Sequence, residues 1–207
     1  KKGDNISTNS TTEAFKYLSL AIYRKRTSLL VMEWTKTNVT STFQICWGAQ
    51  AALYYHYGIR KRMLDSKMFG VYEHKVRRVK NPLLRGFDEV FYAPHSRHTE
   101  IVKEDVNNCK ALRVLADSKE AGYFLLGTDS GRQIFVMGHP EYDRDTLDKE
   151  YRRDVAKGLD IAIPVNYYED DDPDKEPIFR WRAHAHLLYH NWMNYYVYQD
   201  PPYDLSE

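Results

Sequence analysis

One cysteine stands where an apolar run gives way to a helical pattern. The segment from Ile45 to Gln50 reads ICWGAQ, and the stretch from Ala51 to Tyr57 that follows it is typical of a helix. A nucleophile at a strand–turn–helix junction stands above the edge of a sheet, beside backbone N–H groups that can stabilise an oxyanion. The helix N-terminus also favours a thiolate. We predict Cys46 as nucleophile and the N–H of Trp47 as oxyanion donor; a buried structural cysteine is the alternative interpretation.

A histidine and a glutamate two residues apart follow another apolar run. Residues 136–142 read VMGHPEY, which places His139 and Glu141 directly after a predicted strand. A cysteine nucleophile needs a general base, and histidine serves near neutral pH when a second group orients its ring. Taken alone, His-Pro-Glu is more typical of a solvated turn. Combined with the Cys46 segment it predicts a Cys-His-Glu triad.

The elements that must position these residues alternate between strands and helices. Two candidate helices lie at the ends of the chain, from Glu13 to Trp34 and from Ala183 to Tyr198, and a third runs from Asp145 to Lys157 before Gly158. Short strands are predicted between them. These are 43–46, 69–76, 89–92, 112–115, 123–126 and 133–137, with a turn at 128–131. The mixture predicts an α/β sandwich.

Composition excludes several classes of protein. The 207 residues carry a net charge of +1, without the basic excess of a duplex-binding protein, so we expect no nucleic-acid partner. No apolar run reaches the length of about 20 residues that spans a bilayer, and we expect no membrane partner. Only Cys46 and Cys109 are present, which suits a reducing compartment, and no signal-peptide core is seen at the start. We therefore expect one cytoplasmic domain with an appendage.

A series of motifs resembles the homoserine O-acyltransferases, in the order in which that family carries them. The matching segments, at 34–42, 45–50, 67–74, 93–98, 138–143, 158–160 and 191–199, read WTKTNVTST, ICWGAQ, KMFGVYEH, APHSRH, GHPEYD, GLD and NWMNYYVYQ. The resemblance implies an α/β three-layer sandwich of the class I glutamine amidotransferase type. It covers the predicted catalytic domain, 33–207, and leaves 1–32 as an atypical, partly helical segment.

The resemblance also implies the chemistry. Cys46 would form an acyl thioester with the acyl group of acyl-CoA, His139 would act as general base, and Glu141 would orient it. The acceptor would be the hydroxyl of L-homoserine, in the first committed step of methionine biosynthesis. Substrate-binding roles fall on Lys67, Ser96 and Arg153. Acetyl-CoA is favoured slightly over succinyl-CoA, because the segment around Cys46 resembles acetyl-using members. No bound cofactor is expected beyond acyl-CoA as co-substrate, and a homodimer is left open.

The sequence departs from the family before Cys46. Only 45 residues precede it, where family members have well over a hundred, and no Thr-Gly-Ala-Pro turn resembling the second oxyanion donor is present. This predicts an incomplete sheet and an oxyanion site that lacks one donor. The loss of one such donor typically lowers the rate by a factor of about 10²–10³. Two alternatives therefore stay open. One is an inactive relative that binds a partner or ligand, and the other is a glutaminase-like hydrolase on the same triad.

Other candidate residues favour structural interpretations. Cys109 lies in a polar stretch without a base nearby in sequence. His184, His186 and His190 do not share one helix face, so no metal site is predicted. The acidic loop from Asp170 to Asp174 lacks the EF-hand pattern and is more typical of a solvated loop.

Overall fold

The computed structural model describes residues 28–199 of the chain. The chain divides into two compact units, Lys1–Val39 and Thr40–Glu207. Within the described part of the first unit, residues 28–38 form a helix, α1. The sequence-based division into 1–32 and 33–207 stays a prediction. Most of the predicted helix from Glu13 lies outside the described residues.

Helix α1 extends four residues further than predicted, because its last turn has local partners. The predicted helix ends at Trp34, but residues 35–38 are helical as well. The Nδ2 atom of Asn38 donates to the Trp34 carbonyl at 2.8 Å, and the Thr35 hydroxyl donates to the Met32 carbonyl at 2.8 Å. Such bonds satisfy polar side chains that would otherwise favour a non-helical backbone.

Six strands form one mixed sheet in the second unit, in the order β1-β6-β5-β4-β2-β3. Strand β1 runs parallel to β6, and the other neighbours are antiparallel. The strands are β1 Thr42–Ile45, β2 Lys61–Val76, β3 Val90–Ile101, β4 Leu112–Ser118, β5 Gly122–Thr128 and β6 Gln133–Val136. All six predicted strands are found. However, β2 begins eight residues before the predicted start at Phe69, and β3 continues nine residues past Tyr92.

The helices of the second unit are α2 to α5, and strands separate α2 from α3 and α3 from α4. They are α2 Trp47–Tyr57, α3 Lys103–Asn108, α4 Thr146–Ala156 and α5 Arg182–Met193, and α5 continues as a π-helical turn, Asn194–Tyr198. Gly58 ends α2 in the left-handed conformation, with φ 69°, and Gly158 after α4 has the same φ. Glycine adopts this conformation without steric cost, which explains both helix ends. Helix α3 was not predicted.

The central strands have an apolar core on each face. Neighbouring residues along β3 point to opposite sides of the sheet, and each pairs with a β2 residue on the same side. On one side Phe91 and Ala93 pack with Phe124 and with Leu188 of α5. On the other side Phe69 and Val71 pack with Leu147 of α4 and with three buried aromatic residues, Tyr167, Tyr168 and Trp181. The sheet is therefore the middle layer between helices. Within the described residues, no helix is long and apolar enough to cross a membrane.

Candidate active site

Cys46 occupies a strained turn between β1 and α2. Its φ of 48° and ψ of −113° lie outside the regions that L-residues normally adopt. The Cys46 N–H donates to the Val136 carbonyl of β6 at 2.7 Å, and its carbonyl accepts from the N–H of Gln50 at 3.0 Å. The residue is therefore held by the sheet on one side and the helix on the other. Strain of this kind persists only where the surrounding structure enforces it, and it is typical of a nucleophile elbow.

The histidine and glutamate predicted for the triad are in contact. The Nδ1 atom of His139 lies 2.6 Å from Oε1 of Glu141. The His139 side chain is 15% exposed and that of Glu141 is 38% exposed, so the pair lies at the edge of the protein interior. With Nδ1 facing the carboxylate, Nε2 is the ring nitrogen left to exchange a proton with another group.

The electrostatics of His139 connect it to Cys46. Burial lowers the pKa of His139, but hydrogen bonds to Cys46 and then to Glu141, with the negative charges of both, outweigh burial and raise the pKa to about 9. The structure therefore brings His139 and Glu141 together with Cys46, although they are 93 and 95 residues away in sequence. A histidine placed between a thiol and a carboxylate is the arrangement that can activate a cysteine nucleophile.

Backbone contacts fix the position of the His139 segment. The N–H of His139 donates to the Pro94 carbonyl of β3 at 2.8 Å, and the N–H of Met137 donates to the Phe124 carbonyl of β5 at 2.7 Å. Gly138 lies between them. A Cβ atom there would come within 2.8 Å of the Pro94 oxygen and of the Phe124 ring. Any residue other than glycine at position 138 would therefore clash, and glycine allows the segment to lie this close to β3 and β5.

Two of the predicted substrate-binding residues meet at a partly buried carboxylate on α4, that of Glu150, whose side chain is 18% exposed. The Ser96 hydroxyl donates to Oε2 of Glu150 at 2.6 Å. The ammonium group of Lys67 lies 3.5 Å from Glu150 and 3.5 Å from Asp154, and it stands 3.9 Å above the centre of the Phe69 ring. We call Lys67, Ser96, Glu150 and Asp154 the carboxylate cluster.

Arg153 borders the carboxylate cluster and reaches solvent. Its Nε atom donates to Oδ1 of Asp154 at 2.7 Å, while 53% of its side chain is exposed. The hydrogen bond from Arg153 is the largest cause of the lowered pKa of Asp154. Among residues 28–199, the ion pair of Arg153 is with Asp154, and it is made through Nε. The two Nη groups lie at the outer end of the guanidinium. They remain suited to bind an anionic group of a substrate.

Tyr142 joins the triad to the carboxylate cluster. Its ring stacks on the His139 ring with centroids 4.3 Å apart and 19° between the planes. Its hydroxyl donates to Oε1 of Glu150 at 2.7 Å. Burial, and then the hydrogen bond to Glu150, raise the pKa of Tyr142. The two halves of the site are therefore one connected surface.

Glu150 was missed by the sequence analysis, although a signal for it exists. Leu147, Glu150 and Asp154 recur at spacings of three and four on α4, the stripe that faces the core in an amphipathic helix. Leu147 is fully buried and Asp154 is 7% exposed. Acidic residues at core-facing positions of a helix indicate a polar partner inside the protein, here Lys67 and Ser96.

The region predicted to hold an oxyanion is open. Trp47 opens α2, so its backbone N–H has no acceptor within the helix, and its side chain is 56% exposed. A Cβ atom at Gly48 would meet nothing within 4 Å among the described residues, so the space beside the start of α2 is open.

The residues assigned structural interpretations lie apart from these contacts. His184 bonds with Asp88 at 3.1 Å, and Cys109 is a half-buried free thiol that ends α3. Across residues 28–199, no group of three or more His, Cys, Asp or Glu side chains could hold a metal ion.

The sequence matches the model of the homoserine O-succinyltransferase family over residues 6–203. The chain belongs to this family. It is 56% identical over 199 residues to the homoserine O-acetyltransferase of Agathobacter rectalis, an alignment that covers 96% of this chain and 64% of the relative. It is 58% identical over 176 residues to the homoserine O-acetyltransferase of Petrotoga mobilis, covering 85% of this chain and 57% of the relative. The chain thus spans roughly three fifths of these family members.

A solved glutamine amidotransferase shares the fold. The crystal structure of the enzyme from Thermotoga maritima matches with a TM-score of 0.57 and 12% identity, covering 96% of this chain and 76% of that one. At this identity the likeness concerns the fold alone. The predicted α/β fold of the glutamine amidotransferase type is confirmed, while the completeness of the sheet stays a prediction.

Proposed function

We propose that this family member transfers an acyl group from acyl-CoA to the hydroxyl of L-homoserine, through a thioester on Cys46. The observation that carries the proposal is the contact of His139 with both Cys46 and Glu141. The strained Cys46 turn and the open start of α2 support it, because acyl transfer needs an exposed nucleophile beside free N–H donors.

The first half-reaction would use the Cys46–His139 pair. The Cys46 thiolate attacks the carbonyl carbon of the acyl-CoA thioester, and the N–H of Trp47 faces the oxyanion that develops. The bond between the acyl carbon and the CoA sulfur breaks, and CoA takes a proton from His139. The acyl group is then bonded to Cys46, and His139 is neutral.

The second half-reaction would reverse the proton transfer. The neutral imidazole removes the proton of the homoserine hydroxyl as its oxygen attacks the acyl-Cys46 carbonyl. The bond to the Cys46 sulfur breaks, which releases the ester and restores the thiolate beside a protonated His139. Glu141 holds the ring in the same orientation in both halves, because its carboxylate accepts from Nδ1.

The carboxylate cluster and Arg153 supply complementary charges for an amino acid. Glu150 is a partly buried carboxylate within reach of Ser96, and it suits the α-ammonium group of homoserine. The exposed guanidinium of Arg153 suits the α-carboxylate. Tyr142 spans the distance between Glu150 and His139, so a bound homoserine would lie alongside the general base.

Acetyl-CoA is the donor we propose first. The relatives from Agathobacter rectalis and Petrotoga mobilis bear the name acetyltransferase, whereas the family model bears the name succinyltransferase. By this proposal the chain acts in methionine biosynthesis, and it takes its acyl group from CoA without a further cofactor.

Intact-protein mass spectrometry tests the proposal directly. The chain is incubated with acetyl-CoA and, separately, with succinyl-CoA, and then with L-homoserine. We expect an acyl adduct that Cys46→Ser abolishes and that homoserine discharges as the O-acyl ester. Cys109→Ser is the matched control and should keep the adduct, because Cys109 has no such contacts.

The outcomes separate the alternatives. An adduct that survives Cys46→Ser, or the lack of any adduct with both donors, contradicts the proposed transfer and favours a binding role. Release of ammonia from glutamine without discharge by homoserine would instead identify a hydrolase that uses the same three side chains.

A further inference from the structure

Arg97 is a buried cation without a carboxylate partner. The residue lies on β3 and is 5% exposed. Its Nη1 atom donates to the Thr99 carbonyl at 2.6 Å and its Nη2 atom to the Ala121 carbonyl at 2.7 Å. No ion pair within 4.0 Å joins it to an acidic side chain in the part of the chain that the structure describes; Glu100, nearby, pairs with Arg62 instead. A buried charge without a counter-ion is costly, so its retention calls for a compensating partner.

A second set of bonds connects this guanidinium to the start of α2. The Thr99 hydroxyl donates to Oε1 of Gln50 at 2.6 Å, and Nε2 of Gln50 donates to the Thr99 carbonyl, which also accepts from Arg97. Gln50 is 2% exposed, and its N–H donates to the Cys46 carbonyl. Thr99 therefore bonds both to Arg97 and to Gln50 in the first turn of α2, immediately behind the Cys46 turn.

The other side of Arg97 faces the strand that leads to His139. Arg97 and Met137 line the same small cavity, of about 10 Å³. The Nε atom of Arg97 donates to Nδ1 of His95 at 3.4 Å, and Nε2 of His95 lies 3.0 Å from Nε2 of His74. Burial lowers the pKa of His74 to about 3, and burial lowers that of His95 well below its usual value. Both rings are therefore neutral at physiological pH, and neither adds a charge beside Arg97.

We propose that Arg97 is a positioning residue that supplies a fixed positive charge behind Cys46 and so stabilises its thiolate. The inference rests on the proposed function only in taking Cys46 as the reacting thiol. Three of the five N–H donors of a guanidinium are used by Thr99, Ala121 and His95. The remaining charge is unscreened by any contacting carboxylate, and a thiolate is the anion that the triad itself creates.

Charged and polar groups from several elements surround the Cys46 thiol. His139 contacts the thiol, with Glu141 behind it, and Tyr142 stacks on His139. On the strand behind, Arg97 bonds to the neutral His95 and, through the Thr99 carbonyl, shares an acceptor with Gln50 of α2. Burial lowers the pKa of Arg97, and the charges of Glu100 and then Cys46 raise it again. Because such an interaction is mutual, the guanidinium favours the charged form of the sulfur.

The test measures thiolate formation without any acyl donor. In a Cys109→Ser background, the rate of alkylation of Cys46 by iodoacetamide is followed from pH 5 to pH 10. A nearby opposite charge shifts a titration by about one unit or more. We therefore expect Arg97→Met to move the pH midpoint upward by about one unit, which slows alkylation about tenfold at pH values below the midpoint. Arg97→Lys, which keeps the charge, should restore most of the rate.

Matched variants separate charge from folding. Arg77→Met removes an exposed arginine of the same sheet that pairs with Asp117, and it should leave the midpoint unchanged. If circular dichroism shows that Arg97→Met does not fold, Arg97→Gln is the neutral variant to compare with Arg97→Lys. A midpoint that is the same in the folded neutral variant and the parent overturns the inference, even if thermal stability falls. A shifted midpoint in a chain that forms no acyl adduct would uphold the inference and refute the acyl transfer.

Discussion

Adding one methyl group at Gly138 should displace His139, the proposed general base. A Cβ atom there would lie 2.8 Å from the Pro94 oxygen, 2.8 Å from the Phe124 ring and 3.0 Å from Nε2 of His95. The Pro94 oxygen is also the acceptor for the His139 N–H, so the backbone cannot yield without moving His139. Overpacking a close contact of this kind costs about 1–3 kcal/mol. At about 2–4 °C per kcal/mol for a chain of this size, Gly138→Ala should lower the melting temperature by roughly 2–12 °C.

The same substitution should affect Cys46, because a shift of about 1 Å in a catalytic group can cost about 10² in rate. Gly48→Ala is the control, since a methyl group there meets nothing within 4 Å and lies in a helix, where alanine is favoured over glycine by about 1 kcal/mol. Thermal melts and the alkylation rate of Cys46 are compared for both variants and the parent. If Gly138→Ala melts no lower than the parent and its Cys46 reacts at the parent rate, the reasoning about this contact is refuted.

Two further predictions concern pH and Glu150. Because the pKa of His139 is raised from 6.5 to about 9, its contribution to stability is fully present below pH 6.5 and is lost as the pH rises through about 9. The unfolding free energy from urea titrations should fall over that pH range by at most about 3 kcal/mol, and by less in Cys46→Ala. If the unfolding free energy falls equally with pH in the two proteins, the Cys46–His139 bond is contradicted. Glu150→Gln should raise the KM for homoserine about tenfold, by weakening charge-assisted bonds, while acylation by acyl-CoA is retained. Glu176→Gln, at an exposed pair with Arg144, should change neither, and an unaltered KM in Glu150→Gln would remove Glu150 from homoserine binding.

The sequence predicts the elements whose cause is local. The Cys46 turn follows from a short apolar run beside a helical pattern, and Gly58 ends α2 as its conformational freedom predicts. The extensions of β2 and β3 have no such local cause. Residues 61–68 of β2 are mostly exposed and polar, and they are extended because Lys61–Met63 and Met68 at either end pair with β3, with an irregularity between them. A strand that forms by pairing with a distant segment, with both faces exposed, needs no alternation of apolar and polar residues, so its sequence does not reveal it.

The burial of the polar end of β3 could not be predicted from the sequence either. His95 and Arg97 are buried in the extended strand, where hydrophobic patterning predicts apolar residues. They are tolerated because each finds a hydrogen-bond partner contributed by another element, such as His74 of β2 and Ala121 before β5. Neither partner is near in sequence, so no window of sequence reveals the burial. The Glu150 contacts with Lys67 and Ser96 were missed for the same reason.

Strand β3 sets the geometry of the candidate site, because four successive residues serve different parts of it. The Pro94 carbonyl holds the His139 backbone, and His95 packs under Gly138. Side chains alternate across a strand, so Ser96 points to Glu150 on one face while Arg97 points to the opposite face. A one-residue slip of β3 against β2 would exchange those faces, placing a guanidinium beside Lys67 and a hydroxyl behind Cys46. The pairing of Phe69 with Ser96 and of Met68 with Arg97 is therefore a requirement of the site as well as of the sheet.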